Sequence, residues 1–218
     1  MNRRELARCI DHTLLRPEAT DEEVARRAEE AVRFGCAALC VNLARLPAAV
    51  RRLEGSDVAP CCVVSFPLGA SGTVARVAET EEARRRGAAE IDTVIDLGLV
   101  KAGRWEEVTA DLAALVEAGG PARLKVILET CLLEEGEKEK AMAAVCRSGA
   151  AFAKTSTGFA AAGAREEDVR LMARLAAGRV GIKAAGGIGN LALARAMLEA
   201  GADRLGMSRT AAVLTELE

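Results

Sequence analysis

Residues 124–129 read Leu124-Lys125-Val126-Ile127-Leu128-Glu129, and this stretch decides the fold. Side chains of an extended strand alternate between two faces. Leu124, Val126 and Leu128 therefore share one face, and Lys125, Ile127 and Glu129 share the other. The first face suits packing against helices. The second places a lysine and a carboxylate where apolar neighbours make charge expensive unless it is paired. The same partition recurs along the chain. Glu90, Asp92, Val94 and Asp96 alternate with Ile91, Thr93 and Ile95; Phe152 alternates with Ala153 and pairs with Lys154; Gly181, Lys183 and Ala185 alternate with Ile182 and Ala184. These polar faces are expected to meet in a common interior.

Eight short apolar runs carry strand character: Cys9–Thr13, Ala37–Val41, Cys61–Ser65, Glu90–Ile95, Leu124–Leu128, Ala151–Lys154, Gly181–Ala184 and Asp203–Gly206. Ala-, Glu- and Arg-rich stretches with helical spacing separate them. Thr20 and Glu23 form a capping box at the start of the first. Trp105, Val108, Leu112 and Leu115 stripe another, and Leu191, Ala194 and Leu198 a third. Strand and helix repeated eight times imply parallel strands with crossover helices. The count favours a closed (β/α)8 barrel of the TIM type, α/β in class, with a short N-terminal helix, over an open doubly wound sheet. No composition break divides residues 1–218, so one barrel domain is expected.

Composition narrows the function. Half of the 218 residues are hydrophobic, and 30 Lys+Arg against 32 Asp+Glu leave a net charge of −2. That balance speaks against a nucleic-acid or membrane-surface binder, both of which need a basic excess. No apolar run reaches the ~20 residues of a membrane span, and the N-terminus leads into no signal-peptide core. A cytoplasmic protein is expected. The seven cysteines include no CxxC and read as reduced thiols, and the single His12 excludes any multi-histidine metal site. His12, beside Asp11, reads as a structural residue, and Arg84-Arg85-Arg86 as a solvated helix face.

Lysine usage is the most informative count. Only six of the 30 basic residues are Lys. Arg replaces Lys freely on a solvated surface but not where a deprotonatable amine is needed. Lys101, Lys138 and Lys140 lie among polar neighbours, whereas Lys125, Lys154 and Lys183 lie in apolar runs. Two such lysines beside an aspartate form a recognisable set. The neutral amine condenses with carbonyls to a Schiff base, and the second lysine and the aspartate shuttle protons. A structural ion-pair ladder inside the barrel is the competing reading. Gly186-Gly187 follows the seventh run and Gly206-Met207-Ser208 the eighth, where barrels of this type commonly cradle phosphate. Lys154-Thr155-Ser156-Thr157-Gly158 is expected to add hydroxyls beside the amine.

Further motifs carry a resemblance. Ile10-Asp11-His12-Thr13-Leu14-Leu15, Phe66-Pro67-Leu68-Gly69, Glu90-Ile91-Asp92, the stretch 124–130, Phe152-Ala153-Lys154-Thr155-Ser156-Thr157-Gly158-Phe159 and Gly181-Ile182-Lys183-Ala184-Ala185-Gly186-Gly187-Ile188 occur in this order. Together they resemble the deoxyribose-phosphate aldolase family, class I aldolases on a (β/α)8 barrel. The resemblance implies a Schiff base on Lys154. It implies that Lys183 favours the neutral amine and relays protons, with Asp92 as proton donor and acceptor. Asp11, Thr13, Lys125 and Thr155 are expected to support them, and Gly158, Gly186, Gly187, Gly206, Ser208 and Arg209 to bind the substrate phosphate. The implied reaction is reversible cleavage of 2-deoxy-D-ribose 5-phosphate to acetaldehyde and D-glyceraldehyde 3-phosphate, without metal or cofactor. The implied partners are a small sugar phosphate and aldehydes, with no nucleic acid and no membrane, and the family points to a homodimer.

Three departures stand out. Asp96 replaces the family's usual Asn and is expected to add a carboxylate to the lumen. Met207-Ser208-Arg209-Thr210 lacks a hydroxyl and a glycine of the usual eighth loop, and Arg209 is expected either to replace those contacts or to face solvent. The sequence contains no Tyr, so the C-terminal tyrosine that some members direct at the phosphate has no counterpart. Two further readings stay open: a related Schiff-base aldolase with an altered acceptor, and a catalytically silent sugar-phosphate-binding relative.

Overall fold

All eight runs become strands in the computed structural model, which describes residues 1–217. They are β1 Ile10–Leu14, β2 Ala38–Asn42, β3 Ala59–Val64, β4 Glu90–Val94, β5 Arg123–Ile127, β6 Phe152–Lys154, β7 Gly181–Ala185 and β8 Arg204–Met207. Every strand pairs in parallel with the next, and β8 closes on β1. Among the described residues the α-helices are α1 Arg3–Ala7, α2 Asp21–Phe34, α3 Leu46–Leu53, α4 Thr73–Arg85, α5 Leu97–Lys101, α6 Trp105–Gly119, α7 Glu135–Ser148, α8 Glu166–Ala176, α9 Leu191–Glu199 and α10 Thr210–Thr215. The expected N-terminal helix is α1.

Local chemistry sets the helix ends. Thr20 Oγ1 accepts the Glu23 N–H at 3.3 Å, and the Glu23 carboxylate accepts the Thr20 N–H at 2.9 Å. The α6 stripe buries Val108, Leu112 and Leu115. They join Ile91, Leu124, Val126, Leu128, Ile182 and Ala184 in one apolar layer between strands and helices. This layer is the main core. A small second cluster of Leu15, Ala38, Cys40, Cys61 and Val63 lies apart from it, on the β2–β3 side. Arg85 and Arg86 are exposed and pair with Glu82, as a solvated face should.

Register aligns the site. Asp92 lies opposite Lys125, Ile127 opposite Lys154, and Lys154 opposite Lys183. One expectation fails here. Alternation places Asp96 in the lumen, but β4 ends at Val94 and Asp96 becomes the N-cap of α5, accepting the Leu99 N–H at 3.0 Å. Its carboxylate satisfies a helix end, so it adds no charge to the lysines.

Candidate active site

Four cations and three carboxylates meet inside the barrel. Asp92 on β4 receives Lys154 at 2.8 Å and Lys183 at 2.7 Å on the same oxygen, Oδ2, while its Oδ1 receives Lys125 at 3.0 Å. Asp11 on β1 receives Lys183 at 2.5 Å and Lys125 at 2.9 Å on Oδ2, and Arg204 at 2.5 Å on Oδ1. Glu90 lies 2.7 Å from Lys125 and 3.1 Å from Arg204. Cys61 Sγ closes the set, 3.3 Å from Lys125 Nζ and 3.4 Å from Asp92 Oδ1. Asp11, Asp92, Lys125 and Lys183 are fully buried.

Burial by itself opposes charge on Asp11, Asp92, Lys125 and Lys183, and pairing outweighs it. Burial would raise the carboxyl of Asp92, but Lys125, Lys154 and Lys183 outweigh it and hold Asp92 well below the carboxylate range. Asp11 is held down in the same way by Lys125, Lys183 and Arg204. Burial would lower Lys183, yet Asp11 and Asp92 raise it, and Lys125 is raised well above the lysine range by the same pair. Lys125 and Lys183 are therefore firmly held ammonium groups. Lys154 differs: it touches one carboxylate, not two or three, and it borders an open cavity.

That cavity, of about 620 Å3, opens at the C-terminal ends of the strands. The end of β8 and the loops after β6, β7 and β8 line it, and they bring Gly158, Gly186, Gly187, Gly206, Ser208 and Arg209 together with Lys154 and Thr13. A larger cavity of about 730 Å3, among Arg3, Arg4, Arg8, Arg33 and Phe34, lies at the opposite barrel end and contains none of the expected residues. Chemistry, not size, marks the smaller one. Gly186 needs its φ of 87°, and a Cβ there would lie 2.9 Å from Gly163 Cα. A Cβ at Gly206 would lie 3.1 Å from Lys183 Cε, so this glycine also makes room for the lysine. Arg209 folds back across the seventh loop: its Nη1 lies 3.6 Å from where a Cβ of Gly189 would stand.

The supporting residues divide. Asp11 and Lys125 join the charged set directly. Thr13 lines the cavity, its hydroxyl donating to the Asp11 carbonyl at 2.9 Å. The hydroxyls expected beside the amine do not bond to it. Thr155 Oγ1 donates to the Ala185 carbonyl and accepts the Ala185 N–H, stitching the β6 loop to β7. Thr157 turns to Glu129, and Ser156 Oγ is buried without a partner among the described residues. His12 is structural. Burial, the leading cause, lowers its pKa, and Nε2 lies 3.0 Å from Glu30 Oε2 and Nδ1 2.8 Å from Thr210 Oγ1. These partners suit a neutral ring with its proton on Nε2. Cys40, Cys61 and Asp92 offer donor atoms within 4.8 Å of one another, but a dication there would meet the ammonium groups already on Asp92.

A scan of protein-family models matches residues 6–211 to the DeoC/LacD family aldolases. The chain belongs to this family. It is 47% identical to the deoxyribose-phosphate aldolase of Aciduliprofundum boonei, covering 100% of this chain and 99% of that one. It is 46% identical to the enzyme of the same name from Streptococcus mutans, covering 91% and 90%. Among solved structures, the tetrameric deoxyribose phosphate aldolase of Aeropyrum pernix superposes with a TM-score of 0.92 at 32% identity, covering 98% of this chain and 91% of that chain.

Membership in this aldolase family was legible in the motifs, but several residues at the site were not singled out. Arg204 hid among the other arginines, although it shares a lumen face with Gly206. Glu90 was visible by alternation, yet its tie to Arg204 spans 114 residues. Arg16 and Arg27, which also line the cavity, carried no signal beyond composition.

Proposed function

We propose that the chain is a deoxyribose-phosphate aldolase, cleaving 2-deoxy-D-ribose 5-phosphate reversibly to acetaldehyde and D-glyceraldehyde 3-phosphate through a Schiff base on Lys154. The observation that carries this is the position of Lys154. It borders the loop cavity and shares one Asp92 oxygen with Lys183. To become a nucleophile an amine must shed a proton. Lys154 gives up one carboxylate contact in doing so, whereas Lys125 would give up three.

The neutral Lys154 amine adds to C1 of the open-chain sugar, and loss of water gives the iminium. The iminium withdraws electrons while the C3 hydroxyl loses its proton, and the C2–C3 bond breaks. Glyceraldehyde 3-phosphate leaves, an enamine remains, and protonation at C2 followed by hydrolysis releases acetaldehyde. Asp92 is too weak a base to keep a proton, so it passes one on, and the Lys183 ammonium behind it is the reservoir. The seventh and eighth loops suit the phosphate, with Arg209 supplying a charged donor pair in place of the missing hydroxyl and glycine.

This reading includes a single barrel domain, a cytoplasmic location, suited to a charged intracellular sugar phosphate and to seven free thiols, and a homodimer, which sedimentation would test. The deciding experiment is reduction with borohydride in the presence of acetaldehyde, followed by peptide mapping. An N-ethyl group on Lys154 is expected; a label on Lys125 or Lys183 would overturn the assignment. Equal cleavage of phosphorylated and unphosphorylated deoxyribose would favour an aldolase with another acceptor.

A further inference from the structure

The end of β5 does something that the alternation of its residues does not foretell. Glu129 would follow Lys125 and Ile127 into the lumen. Its backbone instead turns left-handed, with φ 53° and ψ 60°. A non-glycine residue persists there only where its surroundings over-determine it, and such residues gather at functional sites. The turn carries the Glu129 carboxylate away from the lumen lysines to the loop that follows Lys154. Glu129 is buried and makes no ion pair among the described residues; its partners are the Thr157 N–H, at 3.2 Å from Oε1, and the Thr157 hydroxyl, which donates to Oε2.

The carboxylate continues a ladder. Leu128 N–H donates to the Lys154 carbonyl at 2.9 Å, and Thr130 N–H donates to the Thr155 carbonyl at 3.0 Å. Strand pairing ends there, and the next rung, at Thr157, is made by a side chain. Thr157 Oγ1 then accepts the Phe159 N–H at 3.0 Å. Phe159 meets Phe66 edge-on at 5.3 Å, and the Phe66 ring lies 6.0 Å from Lys154 Nζ. One buried carboxylate thus shapes the whole segment between the lysine and the aromatic pair beside it.

We infer that Glu129 is a positioning residue for the Schiff-base lysine: it clamps the loop 154–159 and so sets both the reach of Lys154 and the aromatic wall at its amine. The inference rests on the reading of Lys154 as the imine-forming residue. Carbinolamine and iminium formation need the amine held at a defined distance and angle to the carbonyl. A small misplacement there costs rate, and by the usual scale about a hundredfold for 1 Å. Glu129 bonds to Thr157 and, among the described residues, to no residue of the loops after β7 and β8.

The test uses the full chain with Glu129→Gln, Glu129→Gly, Thr157→Val and Thr157→Ser. Glycine keeps the left-handed backbone without strain but removes the clamp. Each is read by the rate of borohydride trapping of acetaldehyde on Lys154, by kcat and KM for deoxyribose 5-phosphate, and by the thermal midpoint. Glu129→Gln, Glu129→Gly and Thr157→Val are expected to slow trapping and kcat by about tenfold to a hundredfold. KM is expected to move by less than about threefold, the pattern of a lost transition-state interaction. Thr157→Ser, which keeps the hydroxyl, is expected to retain wild-type rates. Trapping and turnover near wild type in the Glu129 and Thr157→Val variants, whatever their thermal midpoints, would reduce the contact to a structural one. Should the Glu129 variants not fold, the Thr157→Val and Thr157→Ser pair decides by the same readouts. Wild-type chain that traps no acetaldehyde on Lys154 would instead remove the underlying reading, and this inference with it.

Discussion

Lys154 and Lys183 sit opposite each other on β6 and β7 and bring both ammonium groups to one oxygen of Asp92, at 2.8 and 2.7 Å. They are not equivalent. Lys183 has a second carboxylate, Asp11, at 2.5 Å, and is fully buried. It lies mid-strand in β7 and does not line the cavity that Lys154 borders. Two carboxylates hold Lys183, whereas one holds Lys154 at the edge of the cavity.

Lys154→Arg should abolish both turnover and acetaldehyde trapping, because a guanidinium stays charged and forms no imine. Folding should survive, since the Asp92 contact keeps a cation. Circular dichroism and a trapping assay on the same sample check both halves.

Lys183→Leu removes the cation that shares Asp92 with Lys154. Asp92 then holds the Lys154 ammonium with only Lys125 beside it, and more tightly. Activity should fall sharply, and the pH at which the remaining activity appears should move upward. A pH–rate profile measures this; an unmoved profile at a near-normal rate would make Lys183 a structural residue. Asp92→Asn should retain some trapping while losing turnover, since imine formation and proton transfer are separable.

The buried charges also make a stability prediction. Lys125 contacts Asp11, Glu90 and Asp92, so Lys125→Met leaves carboxylates under-compensated and should cost about 3–5 kcal/mol in urea unfolding. The pH dependence follows in sign. Asp11 and Asp92 are lowered in the folded state, so their contribution is complete above the unfolded carboxylate value of about 4 and is lost as pH falls below it. Lys125 and Lys183 are raised, so their contribution is complete below about 10 and is lost as pH climbs beyond it. Urea midpoints against pH should show a plateau between these limits, and Asp11→Asn should flatten its acid edge.

Arg209→Ala tests the eighth loop. A charged hydrogen bond contributes about 1.5–3 kcal/mol. Its loss should lower kcat/KM for deoxyribose 5-phosphate by about 10–150-fold. Unphosphorylated deoxyribose should react almost as before. Equal effects on both sugars, or none, would leave the phosphate to Gly186, Gly187, Gly206 and Ser208.

Strand order, strand faces and the inward lysines were all written in the sequence, because alternation is a local property and the outer faces must be apolar to meet helices. The family motifs around Lys154 and Lys183 were equally local. What only the tertiary structure decided was partnership. Lys183 meets Asp11 across 172 residues, and Arg204 meets it across 193. Which cation lies on which oxygen depends on barrel closure and strand register, which no single run contains. The same holds where backbone direction changes at a strand end. Asp96 and Glu129 both belong to lumen faces by alternation, yet one caps α5 and the other clamps the Lys154 loop. Periodicity stops being informative where a strand stops, and in this barrel the loop cavity opens at those ends.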